Sequence, residues 1–455
     1  MEKQERPGEQ EILACETALI LEEKEEKKSE KPIIAADSAD RRFAVIYAVL
    51  SFVLVYLMTS SGFAWKISAF TAVYPVVVLA YLLEKKQKPT KESFFWLAVL
   101  LSSGIPYAFY TEMPVFQVFG TVYISIYWTV AAAGCLLEQG RTSAWVAADS
   151  WNSLCVIPFA NAACHLRILL GEWKETENGE VRTTSGIRKA GSVLLGLVLA
   201  IPVLAVVLPM LGSADENFGI FLNSLLDCVS EDLAIFFARL ILTVPVCAYL
   251  FGIAYGCVNR RRTDRIEKDG IRSVGQELHV LPDLAVHTAY LTVAVCYVLF
   301  MLFQGKYLFS AFAGIRPEMY TYAEYARKGF FELCFVAAFN LMIVFLANAF
   351  ARTQTEESRR MRRLNVLFAV LTLLLIATAM SKMLLYIGAY GLTVKRVQTM
   401  VFMVWLTVVF LLLILSQRRM VQMIRAAVMS GAGCYALLCV LPLEAMTGTI
   451  NRMFF

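Results

Sequence analysis

The chain has 455 residues, of which 58% are hydrophobic and only 17% charged. A soluble domain carries roughly 25% charged residues, and a water-soluble fold of this size cannot hide so much apolar surface. The formal charge of +5 is spread over loops without interleaved aromatics, which excludes a nucleic-acid-binding face. The mean hydropathy of +0.61 points instead to lipid. The fold class that follows is all-α, because a lipid-facing backbone must satisfy its hydrogen bonds within each helix.

Residues 1–40 hold 12 Asp/Glu against 6 Lys/Arg. They read as an acidic, disordered cytoplasmic tail, with Glu11–Leu21 a short amphipathic helix and Glu22–Lys31 a solvated charge run. Residues 41–455 read as one helical transmembrane domain. Arg41 and Arg42 abut the first apolar run, a start-anchor pattern with no cleavable signal peptide before it.

A hydrocarbon core of roughly 30 Å needs about 20 apolar residues per crossing. Eleven runs qualify: Phe43–Phe63, Ile67–Leu83, Ser93–Tyr110, Val115–Leu137, Gly191–Leu211, Ala234–Gly256, Leu284–Gln304, Phe330–Phe350, Val366–Tyr386, Thr399–Ser416 and Ala426–Met446. The loops after the even-numbered runs hold 4, 6, 6, 5 and 3 Lys/Arg, those after the odd-numbered runs 1, 0, 0, 4 and 2. Positive charge stays on the cytoplasmic side, so the alternation predicts the N-terminus inside and the C-terminus outside.

Two connections are more than loops. Residues 144–170 carry Trp145, Leu154 and Phe159, with Pro158 interrupting the run, and read as an interfacial or re-entrant segment on the cytoplasmic side. On the outer side, Ser213-Ala-Asp-Glu216 reads as a capping box opening a helix with Phe218 on its membrane face.

Ionisable groups inside spans are costly and therefore candidates for function. Arg239, Glu332 and Lys382 all fall in the outer half of the bilayer. They read either as side chains snorkelling to the interface or as the wall of an outward-facing polar cavity suited to an anionic ligand or lipid headgroup. Lys382 and Tyr386 share one helical face, after which Gly388 and Gly391 end the helix. Arg327, Lys328, Lys395 and Arg396 lie in outer loops against the charge rule, and the aromatics from Tyr307 to Tyr325 form an interfacial belt.

Other chemistry is thinly supported. His279, Asp283 and His287 are spaced by four, but Pro282 starts the helix after His279, so no metal site is expected. His165 has no evident partner in the sequence. Gly252 and Gly256 form a GxxxG that allows close helix approach. Eleven cysteines without a CxxC pair read as small apolar filler. No nucleotide, zinc-hydrolase or serine-hydrolase motif is present, so neither a cofactor nor an enzymatic activity is expected.

Two stretches carry a resemblance. Thr321-Tyr-Ala-Glu-Tyr-Ala-Arg-Lys-Gly-Phe-Phe-Glu-Leu333 and Tyr386-Ile-Gly-Ala-Tyr-Gly-Leu-Thr-Val-Lys-Arg396 resemble the signatures of a bacterial integral-membrane group of unknown function, domains four-one-five-three and four-one-seven-three. Ser213–Phe218 and Asn451 fit the same pattern, and the similarity covers roughly residues 90–455. It implies a polytopic membrane protein, with Tyr325, Arg327, Glu332, Tyr390, Thr393 and Arg396 as the matching site residues. Arg327 and Glu332 would join Lys382 or Arg396 in a salt-bridged cluster, either a clamp between the eighth and ninth spans or a binding site. The function expected is an envelope-associated accessory or lipid-binding scaffold, whose partners are the bilayer, an anionic lipid or another membrane protein. The alternative is a secondary transporter, for which Asn340, Pro202 and Pro245 are the hints.

Overall fold

The computed structural model describes residues 34–60, 65–109, 115–169 except 139, 173–174, 231–263, 283–303, 321–350, 357–419 and 421–454, with short pieces between 196 and 220 and positions 270 and 312. The acidic tail, the core of the fifth expected span, Cys228, His279 and most of the aromatic stretch 306–320 lie outside the described residues.

Thirteen α-helices are described: α1 (Ser38–Thr59), α2 (Trp65–Glu84), α3 (Ser93–Phe109), α4 (Val115–Ala132), α5 (Val146–Trp151), α6 (Ile157–Leu169), α7 (Glu231–Val258), α8 (Asp283–Phe303), α9 (Tyr322–Phe350), α10 (Glu357–Tyr390), α11 (Val394–Ser416), α12 (Met423–Val440) and α13 (Leu443–Phe454). A two-residue parallel pair, β1 (Ile34–Ala35) with β2 (Trp173–Lys174), is the strand content among the described residues. Seven helices (α1, α2, α7 and α9–α12) are long and apolar enough to cross a membrane, and α3 and α8 are shorter apolar helices. These mark a multi-pass helical membrane protein.

Local chemistry sets the helix ends. Asp37 and Asp40 cap α1 reciprocally, each side chain accepting the other's backbone N–H at 2.9 Å. Thr321 and Glu324 do the same for α9: the Thr321 Oγ1 accepts from the Glu324 N–H and the Glu324 carboxylate accepts from the Thr321 N–H. Gly391 ends α10 with φ +73°, a left-handed conformation that favours glycine. The Thr393 side chain then caps α11 by accepting the Arg396 N–H.

Several expectations are corrected here. The helix of the ninth span passes Gly388 and stops only at Gly391. The eleventh span ends at Val440, not Met446, because Pro442 cannot continue the helix and α13 starts anew behind it. Pro158 does not break its segment: a π turn over Asn152–Val156 precedes it and absorbs the hydrogen bond that proline cannot donate, so α5 leads into α6. The cap expected at Ser213 is Asp215, whose side chain accepts from the Phe218 N–H at 2.8 Å, while Ser213 belongs to the helical turn before it. α7 runs unbroken through Pro245.

The chain divides into two compact units, residues 1–59 with 158–255 and residues 60–157 with 256–455. In the first, Gly252 lets α7 approach α6 so closely that a Cβ would lie 2.7 Å from the Pro158 carbonyl. His165 has partners after all: its Nε2 lies 3.0 Å from the Ala44 carbonyl and 3.1 Å from the Cys247 Sγ, with the ring against Phe251. Burial depresses its pKa below the usual histidine value.

In the second unit, α8–α11 share an apolar core in which Tyr290 stacks on Phe368 at 4.4 Å. Polar joints tie its helix ends. The Glu92 carboxylate accepts from the Thr142 N–H at 2.8 Å and from the Arg425 guanidinium at 2.7 Å. Gln87 donates to the Val258 carbonyl, Asn152 to that of Thr263, and Asn365 joins Tyr290 to Gln417, accepting from the first and donating to the second. At the other helix ends, Ser68 donates to the Gly104 carbonyl and Asn451 brackets Leu392.

Candidate functional site

α9 has 29 residues and α10 has 34, so at 1.5 Å per residue they are about 44 and 51 Å long. Both exceed the roughly 30 Å hydrocarbon core. The excess carries both family-like motifs onto helix, so Tyr322, Tyr325 and Arg327 stand on the first turns of α9 rather than in a loop.

Between α8, α9 and α10 lies a cavity of about 200 Å³, lined by Tyr297 and Phe300 of α8, Gly329, Glu332, Leu333, Phe335 and Val336 of α9, and Leu375, Thr378 and Lys382 of α10. Its walls are mostly aromatic and aliphatic. Its two ionisable groups are Lys382 and Glu332. Lys382 is only 2% exposed, and its ammonium sits 4.6 Å above the ring of the fully buried Tyr325. The electron-rich ring face offsets part of the cost of taking a cation out of water. Gly329 makes room for it: a Cβ there would stand 2.8 Å from the Lys382 Cδ. Glu332 is exposed on the cavity wall.

A second arrangement surrounds the α10–α11 turn. The Arg396 guanidinium lies 3.9 Å over the Tyr386 ring and donates to the carbonyls of Tyr390 and Gly391. Tyr390 meets Tyr386 and Tyr322 edge to face. From α13, the Asn451 amide accepts the Leu392 N–H at 2.7 Å and donates to the Leu392 carbonyl at 2.8 Å. The motif around YGLT thus builds a pinned turn whose cation is occupied by backbone oxygens and an aromatic face.

The sequence candidates therefore separate. Lys382, Tyr325 and Glu332 meet at the cavity, while Tyr386, Tyr390, Thr393 and Arg396 build the turn. The expected salt-bridged cluster does not describe either group. Arg327 folds back on its own helix, its Nε donating to the Ala323 carbonyl, and Arg396 is bound to carbonyls. Arg239 belongs to the first unit, where it donates to Thr59 at 2.9 Å and lies 4.7 Å over Tyr56. Two of those partners are explained by position: α1 and α7 end side by side, so a cation near one end reaches the hydroxyl and ring of the other.

Sequence reasoning missed Gly329, Thr378 and the Glu92–Arg425 pair. Gly329 lay inside the family-like stretch but had no side chain to mark it, and Thr378 was one threonine in an apolar helix. Glu92 and Arg425 are 333 positions apart, and nothing local links them. The Thr321–Glu324 capping box was legible as Thr-x-x-Glu ahead of an apolar run. Among the described residues no group of three or more His, Cys, Asp or Glu is placed to hold a metal. His287 is half-buried, with its Nε2 unbonded.

No curated protein and no solved structure matches the chain. A family model does, over residues 95–452, described as Domain of unknown function (DUF4153). Those residues include the α8–α10 cavity and the pinned turn, and leave out the acidic tail. The chain belongs to the DUF4153 family, a domain of unknown function.

Proposed function

We propose that the protein is a lipid-binding scaffold of the bacterial plasma membrane, without catalytic activity of its own. Its N-terminus is cytoplasmic, its C-terminus outside, and eleven spans lie between them. The observation that carries the reading is the α8–α10 cavity: aromatic and aliphatic walls with a buried lysine at the end where the family-like motifs lie. Apolar walls suit chains, and a cation held off water suits a headgroup.

The polar joints support the orientation. Glu92 with Arg425, Gln87 with Val258, Asn152 with Thr263 and Asn365 with Gln417 each join positions that the charge alternation assigns to the cytoplasmic side. Ser68 with Gly104, Asn451 with Leu392 and Arg239 with Thr59 join positions assigned outside.

Transport is the second reading, favoured by one observation. Asn340, near the middle of α9, is fully buried, donates to Thr372 at 2.7 Å and leaves its side-chain oxygen unbonded. Transporters place such groups at the midplane. Asn340 does not line the α8–α10 cavity.

The test is native mass spectrometry of the protein extracted from its own membrane. A scaffold retains a stoichiometric lipid that Lys382→Leu releases. Release of no lipid by that variant, or solute uptake by vesicles containing the pure protein, would reject the reading.

A further inference from the structure

The cavity holds one cation and one anion, and its size limits what fits. At about 200 Å³ it is smaller than the roughly 300–1,000 Å³ of pockets that enclose a drug-sized ligand. It therefore takes a headgroup or a short piece of one chain, with the rest of the molecule left in the bilayer. The large exposed side chains beside it, Phe300 at 48% and Phe335 at 74%, offer that remainder an apolar surface.

Charge then selects the headgroup. A purely anionic group drawn to Lys382 would meet the Glu332 carboxylate on the same wall, and like charges repel. A headgroup carrying both signs satisfies both walls at once. The ammonium of Lys382 rests on the Tyr325 ring, and the absence of a side chain at Gly329 lets the lysine stem pack against the α9 backbone at the cavity wall. Glu332, exposed on α9, accepts hydrogen bonds and so matches a primary ammonium, which donates them; a quaternary ammonium does not.

We propose that the cavity between α8, α9 and α10 binds the headgroup of a phosphoethanolamine-type zwitterionic lipid, its phosphate against Lys382 and its primary ammonium against Glu332. The assignment rests on the reading of the protein as a lipid-binding scaffold and names the lipid class that scaffold holds.

The experiment uses the full chain, purified, delipidated and exchanged into an equimolar mixture of phosphatidylethanolamine, phosphatidylglycerol and phosphatidylcholine, with retained lipid read by native mass spectrometry. Phosphatidylethanolamine is expected to exceed each of the others by roughly fivefold, the contribution of one partly exposed ion pair. Glu332→Gln should bring the three within about twofold, and Glu332→Lys should reverse the order in favour of phosphatidylglycerol. Glu332 is exposed, so both variants keep the fold, which their melting temperatures check. Retained lipid without headgroup preference, or a preference untouched by Glu332→Gln, overturns the headgroup assignment and leaves the scaffold standing. A wild-type protein that retains no lipid overturns both.

Discussion

Replacing Gly391 by alanine tests whether the family-like turn is a pinned element. Gly391 has φ +73°, and the left-handed conformation costs an alanine roughly 1–2 kcal/mol. The added Cβ would stand 2.9 Å from the Asn451 Oδ1 and 3.2 Å from its Cγ, so the Asn451 amide must withdraw from Leu392. Its two hydrogen bonds contribute about 0.5–1.5 kcal/mol each. Gly391→Ala should therefore destabilise by about 2–5 kcal/mol and Asn451→Ala by about 1–3 kcal/mol. The two effects overlap, because the bridge is lost only once. The double variant should then cost no more than Gly391→Ala alone, leaving a coupling of about 1–3 kcal/mol between the sites. Reversible unfolding in mixed micelles, followed by circular dichroism, measures all three. Additive losses, or a Gly391→Ala variant as stable as wild type, would refute the reasoning.

The remaining predictions concern other parts of the chain. Arg425→Ala leaves the nearly buried Glu92 carboxylate with the Thr142 N–H alone and should cost about 1–3 kcal/mol in the same unfolding assay; a variant as stable as wild type would show the pair to be unimportant. His165 is buried and its folded pKa lies below the unfolded value near 6.5, so its share of stability is complete above about pH 6.5 and lost on acidification. Melting temperature should fall between pH 7.5 and 5.5, and His165→Gln should flatten that dependence; a melting temperature that rises on acidification would contradict the assignment. A periplasmically active phosphatase fused after the last residue should be active in cells, and its inactivity would refute the odd number of spans.

Where the sequence was legible, the reason was periodic and local. Seven of the apolar runs stand as long apolar helices because the signal, some 20 apolar residues in a row, is carried by neighbouring residues. The place of Lys382 on the last turns of a long apolar helix was likewise readable from its run. Its partners were not: Tyr325 and Gly329 come from another helix, and the pairing depends on how α9 and α10 pack. The same holds for Asn451, whose role appears only when α13 returns to the α10–α11 turn. The charge-based expectation failed differently. Arg327, Glu332 and Arg396 invite one another on paper, but carbonyls left open at a helix end compete for a guanidinium at closer range, as at Tyr390 and Gly391. Prolines misled in both directions: Pro158 was read as a break although a π turn precedes it, and the eleventh span was read through Pro442, where the helix stops.

The central claim is that a lipid headgroup occupies the space between Lys382 and Glu332. An electron cryo-microscopy map of the protein in nanodiscs containing phosphatidylethanolamine tests it most directly. The account predicts density for a phosphate beside the Lys382 ammonium, continuous with an acyl chain passing Phe335 into the bilayer. A map in which α8 and α9 close over Lys382, or in which water alone fills the cavity, would contradict it.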